Sequence, residues 1–126
     1  MTKISIKNRT TFNVIGVMSG TSLDGIDLCY ACFELGSSWT FKIIDAQTIG
    51  YSKQWQERLR TAILLDPPKL SKLNKDYTQF LSEVISIFIK KQSNASIDAV
   101  CSHGHTVFHQ PSKGKTLQIG NLPDIA

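Results

Sequence analysis

From Phe12 to Met18 the chain is nearly unbroken in apolar character, and so is Ile26 to Leu35 apart from Asp27 and Glu34. Runs of this length without a polar side predict strands covered on both faces. Trp39, Phe41 and Ile43 then alternate with polar neighbours, which predicts a third strand reaching about Tyr51. The connections between the three, Ser19 to Gly25 and Gly36-Ser37-Ser38, are short and polar, so the strands are expected to form an antiparallel meander.

Beyond Ser52, an N-cap candidate, the period lengthens. Trp55, Leu59, Ala62 and Ile63 make one face of a helix that must stop at Asp66-Pro67-Pro68. A second helix, with Ser71 as its expected cap, carries Leu73, Tyr77, Phe80, Leu81, Val84 and Phe88 on one stripe over about five turns. That stripe is assigned to the core, with no chemical role. Ile97 to Cys101 predicts a short buried strand, the histidine-rich segment Ser102 to His109 a loop, Pro111 to Lys115 a turn, and Thr116 to Gly120 a last strand. Three strands, two helices, a strand, a loop and a strand make an α/β fold with a mixed sheet.

Composition narrows the function classes. The chain has 126 residues, 41% hydrophobic and 19% charged, enough for one ordinary domain with its own core. The net charge of +4 comes from lysines scattered singly or in pairs such as Lys90-Lys91, a solvated surface rather than a nucleic-acid footprint. Cys29, Cys32 and Cys101 each sit in an apolar run, which favours buried free thiols in a reducing compartment. Cys29 and Cys32 have redox-motif spacing, but strand alternation sends them to opposite faces. No charged-then-apolar leader opens the chain and no run approaches the ~20 apolar residues of a membrane span, so a cytoplasmic location is expected. Asn121 to Ala126 bears no cap or charged tail, and the expectation is a truncated chain.

Candidate chemistry gathers in two places. The segment Met18 to Asp27 puts glycines and hydroxyls between two apolar strands. Gly20 and Gly25 let backbone amides approach a ligand, Thr21 and Ser22 add donors, and an anion such as phosphate suits such a loop. Asp24 and Asp27 are the acids that could hold magnesium through water. A plain β-turn explains the same residues, and composition alone favours it slightly. Asp27 interrupts a run read as buried strand and therefore needs a partner, either a backbone amide or a metal-bound water.

The second place is the histidine segment. On one continuous strand His103, His105 and His109 would share a face and could bind zinc or another divalent metal, the basis of a metal-dependent hydrolase. Gly104 and Pro111 argue instead for a bend, and no carboxylate completes a catalytic set there. The plainer alternative has the imidazoles reading a polar substrate by hydrogen bonds. A Ser19 or Ser22 nucleophile is weakly supported, because Gly-x-Ser-x-Gly is missing.

Taken together, Val14 to Asp27, His103 to Pro111 and Thr116 to Gly120 resemble, in order, three blocks of the amino-terminal part of the anhydro-N-acetylmuramic acid kinase family. The resemblance implies a ribonuclease H-like mixed sheet with helices, the first lobe of an actin-like ATPase and sugar kinase fold, with residues 1–126 forming an incomplete amino-terminal lobe of a two-lobe kinase. It implies ATP and magnesium as cofactors. The implied reaction opens the anhydro bridge of 1,6-anhydro-N-acetylmuramic acid and phosphorylates it to N-acetylmuramic acid 6-phosphate in peptidoglycan recycling. The ATP-binding segment falls on Gly20, Thr21, Ser22, Leu23, Asp24, Gly25, Ile26 and Asp27, and the sugar contacts on His103 and Thr106. Partners are the anhydro amino sugar and, as an option, a second copy of the chain, with no nucleic acid and no membrane. The chain departs from the family pattern at His105, Phe108 and Gln110, where Gln, Trp and Glu are common. The family's general base, an aspartate in an Asp-Phe-Arg segment, has no counterpart before Ala126, so no catalytic residue is assigned and the chain alone is expected to be inactive.

Overall fold

The computed structural model describes residues 10–20, 23–92, 96–110, 112 and 115–122, with the side chains of residues 108–110 and 115 outside the description. The meander forms as expected. Strands β1 (Thr11–Ser19), β2 (Gly25–Leu35) and β3 (Trp39–Gly50) pair antiparallel in sequence order. Two further strands, β4 (Ala99–Gln110) and β5 (Lys115–Ile119), complete a five-stranded sheet of order β3-β2-β1-β4-β5. β4 runs parallel to β1, and β5 returns antiparallel to β4. The parallel pair needs a crossover, which two helices supply.

Helix α1 (Lys53–Arg60) begins where the sequence places it, with Ser52 Oγ accepting from the Trp55 amide at 3.2 Å. A 3-10 turn at Ala62–Leu64 follows. Helix α2 (Pro67–Lys91) starts earlier than expected: Asp66, not Ser71, is its cap, accepting from the Lys69 amide at 3.0 Å. The proline pair that ends one helix opens the next, because proline at the first positions lacks only an N–H that would be unsatisfied anyway. Ser71 therefore lies inside a 25-residue helix.

One face of the sheet is closed. Ile15, Val17, Ile26, Leu28 and Tyr30 pack under Leu73, Tyr77, Leu81, Ile85 and Phe88 of α2, with Leu59 and Ile119 at the margins. Among the described residues nothing covers the opposite face, against the expectation of strands covered on both sides. Met18, Trp39, Phe41 and Ile43 are exposed there, Phe41 at 66%. Asp27 accordingly stands in solvent on this open face, and its partner is the Thr48 hydroxyl on β3, which donates to Oδ1 at 2.6 Å. The cysteines are free, none of them is buried, and Cys101 is exposed. Regular β1–β2 register through residues 29–32 puts Cys29 on the open face and Cys32 on the helical one.

The largest departure is in β4. Its parallel register runs Val17 with Ser102 and then Ser19 with His105, so two β4 residues stand opposite one β1 residue. The extra residue is a bulge at Gly104, whose φ is +73°. The segment read as a loop is a strand with a kink. The turn predicted at Pro111 to Lys115 lies largely outside the described residues.

Candidate functional site

Three segments meet at one end of the sheet: the β1–β2 turn, the bulged part of β4, and β5. The turn is closed by the Leu23 amide donating to the Gly20 carbonyl at 3.3 Å. Leu23 sits at φ +60°, a conformation that branched hydrophobic side chains rarely adopt. Its side chain packs against the core while Gln56 of α1 donates to its carbonyl at 3.3 Å, so packing and a tether hold the strained residue.

Of the residues expected to meet nucleotide, Thr21 and Ser22 lie outside the description. Gly20, Asp24 and Asp27 are exposed, whereas Gly25 and Ile26 are buried. Ile26 is fully enclosed and can offer a ligand only backbone. Gly25 has a structural reason to be glycine, since a Cβ there would collide with the Ile49 carbonyl of β3.

Below the turn lies a buried chain of polar groups. Ser19 Oγ is 2.6 Å from Tyr51 Oη and 3.0 Å from His105 Nδ1, and Tyr51 Oη is 2.5 Å from Tyr77 Oη. All four residues are buried. Burial raises the Tyr51 hydroxyl above the usual phenol value, pushes that of Tyr77 well above it, and holds the His105 imidazole below the ordinary histidine value. Tyr77, assigned by its spacing to the core alone, has a second duty, because its ring fills the core and its hydroxyl ends this chain.

The bulge divides the histidines. In an unbroken strand His103 and His105 would share a face; the extra residue sends His105 to the helical side, against the Tyr77 ring, and leaves His103 on the open side. The proposed His103, His105, His109 metal cluster is thereby undone, since two of its members point apart and the His109 side chain lies outside the description. Among the described residues no three His, Cys, Asp or Glu side chains gather to hold a metal.

His103 and Thr106, the expected sugar contacts, do come together. Gln118 on β5 donates from its amide to Thr106 Oγ1 at 3.4 Å, and the same nitrogen stands 3.1 Å from His103 Nε2. Asn121 donates to the His103 carbonyl at 3.1 Å. Gln118 was legible only as part of a strand, and cross-strand register to Thr106 brings it to the candidate group. The strand end beyond it is fixed by Asn74 of α2, whose Oδ1 accepts from the Gly120 amide at 2.7 Å. His103 and Asp27 also line a groove of about 860 Å³ on the open face, with Gly16, Met18, Cys29 and Thr48.

A meander, a helical crossover and a parallel fourth strand, with a glycine-bounded turn beside a polar strand pair, make this the amino-terminal lobe of an actin-like sugar kinase fold. Residues 12–126 match the family model described as anhydro-N-acetylmuramic acid kinase. The chain belongs to that family. It is 31% identical over 109 residues to the anhydro-N-acetylmuramic acid kinase of Paramagnetospirillum magneticum, covering 85% of this chain and 30% of the relative. The Brucella canis enzyme of that name is 33% identical over 119 residues (85% and 31%), and that of Thiobacillus denitrificans 30% identical over 118 residues (89% and 30%). The chain thus spans about 30% of the length of these relatives.

Proposed function

We propose that this chain is the nucleotide-binding lobe of an ATP-dependent kinase for 1,6-anhydro-N-acetylmuramic acid, whose product is the 6-phosphate of N-acetylmuramic acid. One observation carries the reading: the β1–β2 turn and the His103–Thr106–Gln118 group share one end of the sheet, with Ser19 paired to His105 between them. A phosphate-binding turn and a polar sugar-facing strand at that spacing form one wall of a kinase cleft. The relatives' names supply the sugar.

In phosphoryl transfer a protein contributes mainly positioning and charge stabilisation. The amides of the Gly20–Asp24 turn orient the terminal phosphates, and Gly20 keeps the approach open. Asp24 and Asp27 suit a magnesium ion held through water, which when bound neutralises phosphate charge. His103, Thr106 and Gln118 orient sugar hydroxyls by donating and accepting. The group that removes a proton from water belongs to the part of the family beyond this chain, and the 126-residue polypeptide is expected to show no turnover. The free thiols fit a reducing cytoplasm.

The test is a coupled assay on the full-length protein with Mg-ATP and the anhydro sugar, beside a melting experiment. Sugar phosphate and a rise in Tm with Mg-ATP but not with zinc are expected. Absence of product, with no thermal response to Mg-ATP, would overturn the reading.

A further inference from the structure

The buried chain Tyr77–Tyr51–Ser19–His105 runs from the middle of α2, through the segment after β3, to the last residue of β1 and across to the bulge of β4. Ser19 is next to Gly20 of the candidate phosphate turn, and His105 lies between His103 and Thr106 of the candidate sugar strand. Each link is within hydrogen-bond distance and the group is closed to solvent.

Proton accounting gives the chain a direction. Three hydroxyls bring three hydrogens. If His105 Nδ1 carries no hydrogen, Tyr77 donates to Tyr51, Tyr51 to Ser19 and Ser19 to Nδ1, and every hydroxyl hydrogen has an acceptor. If Nδ1 carries a hydrogen, the chain reverses and the Tyr77 hydroxyl hydrogen has no acceptor among these groups. A buried donor without a partner is costly, and the Nε2 hydrogen that this tautomer of His105 carries is not among the buried polar atoms left without a partner, so the first arrangement is favoured.

We propose that Ser19 and His105 are positioning residues, a latch in which the Ser19 hydroxyl donates to a neutral His105 and sets the phosphate turn in register with the sugar-facing strand. The latch couples the two ligands: a nucleotide that fixes Ser19 at the start of the turn fixes His105, and with it His103 and Thr106. It rests on the kinase reading for the identity of those ligands, while the hydrogen bond itself stands on geometry. A glutamine at position 105 could accept through its amide oxygen, whereas alanine could not.

The experiment has two arms. In the full-length protein, sugar affinity is measured with and without a saturating non-hydrolysable ATP analogue. Wild type and His105→Gln are expected to bind sugar roughly tenfold more tightly with nucleotide. Ser19→Ala, His105→Ala and the ring-preserving Tyr51→Phe should lose most of that factor, while each ligand alone binds within about threefold of wild type. Coupling retained in all three variants would overturn the latch. The second arm needs no ligand: ¹⁵N chemical shifts of His105 should report an unprotonated Nδ1 that moves in Ser19→Ala. A protonated Nδ1, or one indifferent to Ser19→Ala, also overturns it. If wild type binds neither ligand while the tautomer is as stated, the kinase reading fails and the hydrogen-bonded latch remains.

Discussion

Replacing Gly104 with alanine tests the bulge on which the site geometry depends. The residue has φ +73°, in the region where an L side chain costs roughly 1–2 kcal/mol. The added Cβ would also run into the Ile119 carbonyl of β5 and come within 2.7 Å of the Asn121 amide nitrogen. The asparagine side chain can swing away, but only by giving up its bond to the His103 carbonyl. The Ile119 carbonyl is backbone of a paired strand and can move only if β5 moves. Overpacking of this kind costs typically about 1–3 kcal/mol, so the expected total is about 2–5 kcal/mol. Gly16 is the control, an extended-strand glycine whose Cβ would meet nothing within 4 Å. Gly16→Ala should be neutral or stabilise by up to about 1 kcal/mol through the unfolded chain. Urea denaturation followed by circular dichroism measures both. The pairing argument fails if Gly104→Ala costs less than about 1 kcal/mol or if the two substitutions cost the same.

Ser102 Oγ is buried without a hydrogen-bond partner among the described residues, so Ser102→Ala should raise stability by about 1 kcal/mol, seen as a higher urea midpoint. Asp66→Ala removes the α2 cap and should lower stability by about 1 kcal/mol, whereas Ser71→Ala should cost much less; equal losses would restore Ser71 as the cap. His105 is held below the ordinary histidine value by burial, facing Ser19 and the Tyr77 ring, so the unfolded chain binds the proton more readily. Its contribution is therefore complete above the unfolded value near 6.5 and is lost as pH falls toward the folded one. A pH series of melting temperatures should show this acid-side loss in wild type and a shallower one in His105→Gln; parallel curves would count against it. Tyr51 and Tyr77 act at the other end: their raised values mean stability present below about pH 10 is lost above it, and Tyr51→Phe should blunt that alkaline decline.

Local chemistry along the chain determined the order and type of the elements up to β4, whose second half it read as a loop. Two apolar runs and an alternating third produced the meander, Ser52 capped α1, and the stripe from Leu73 to Phe88 became the core face of α2. The same reading placed the candidate turn, because glycines and hydroxyls between strands are a local signal. Boundaries that depended on competing local signals went astray, as when Asp66 and two prolines took the cap from Ser71. Tertiary structure alone decided which side chains meet. Gly104 was visible as a glycine, yet only the pairing of β4 with β1 and β5 shows that it inserts a residue and reverses the faces of His103 and His105. Tyr51, Tyr77 and Ser19 are separated along the sequence and carry no common motif, and two buried hydrogen bonds join them only because β1, α2 and the segment after β3 pack at one point. The open face around Met18 and Ile43 was likewise invisible, since apolar periodicity states that a strand can be covered and not what covers it. Periodicity is a property of neighbours in the chain; face, register and partner are properties of the whole sheet, where one extra residue inverts everything beyond it.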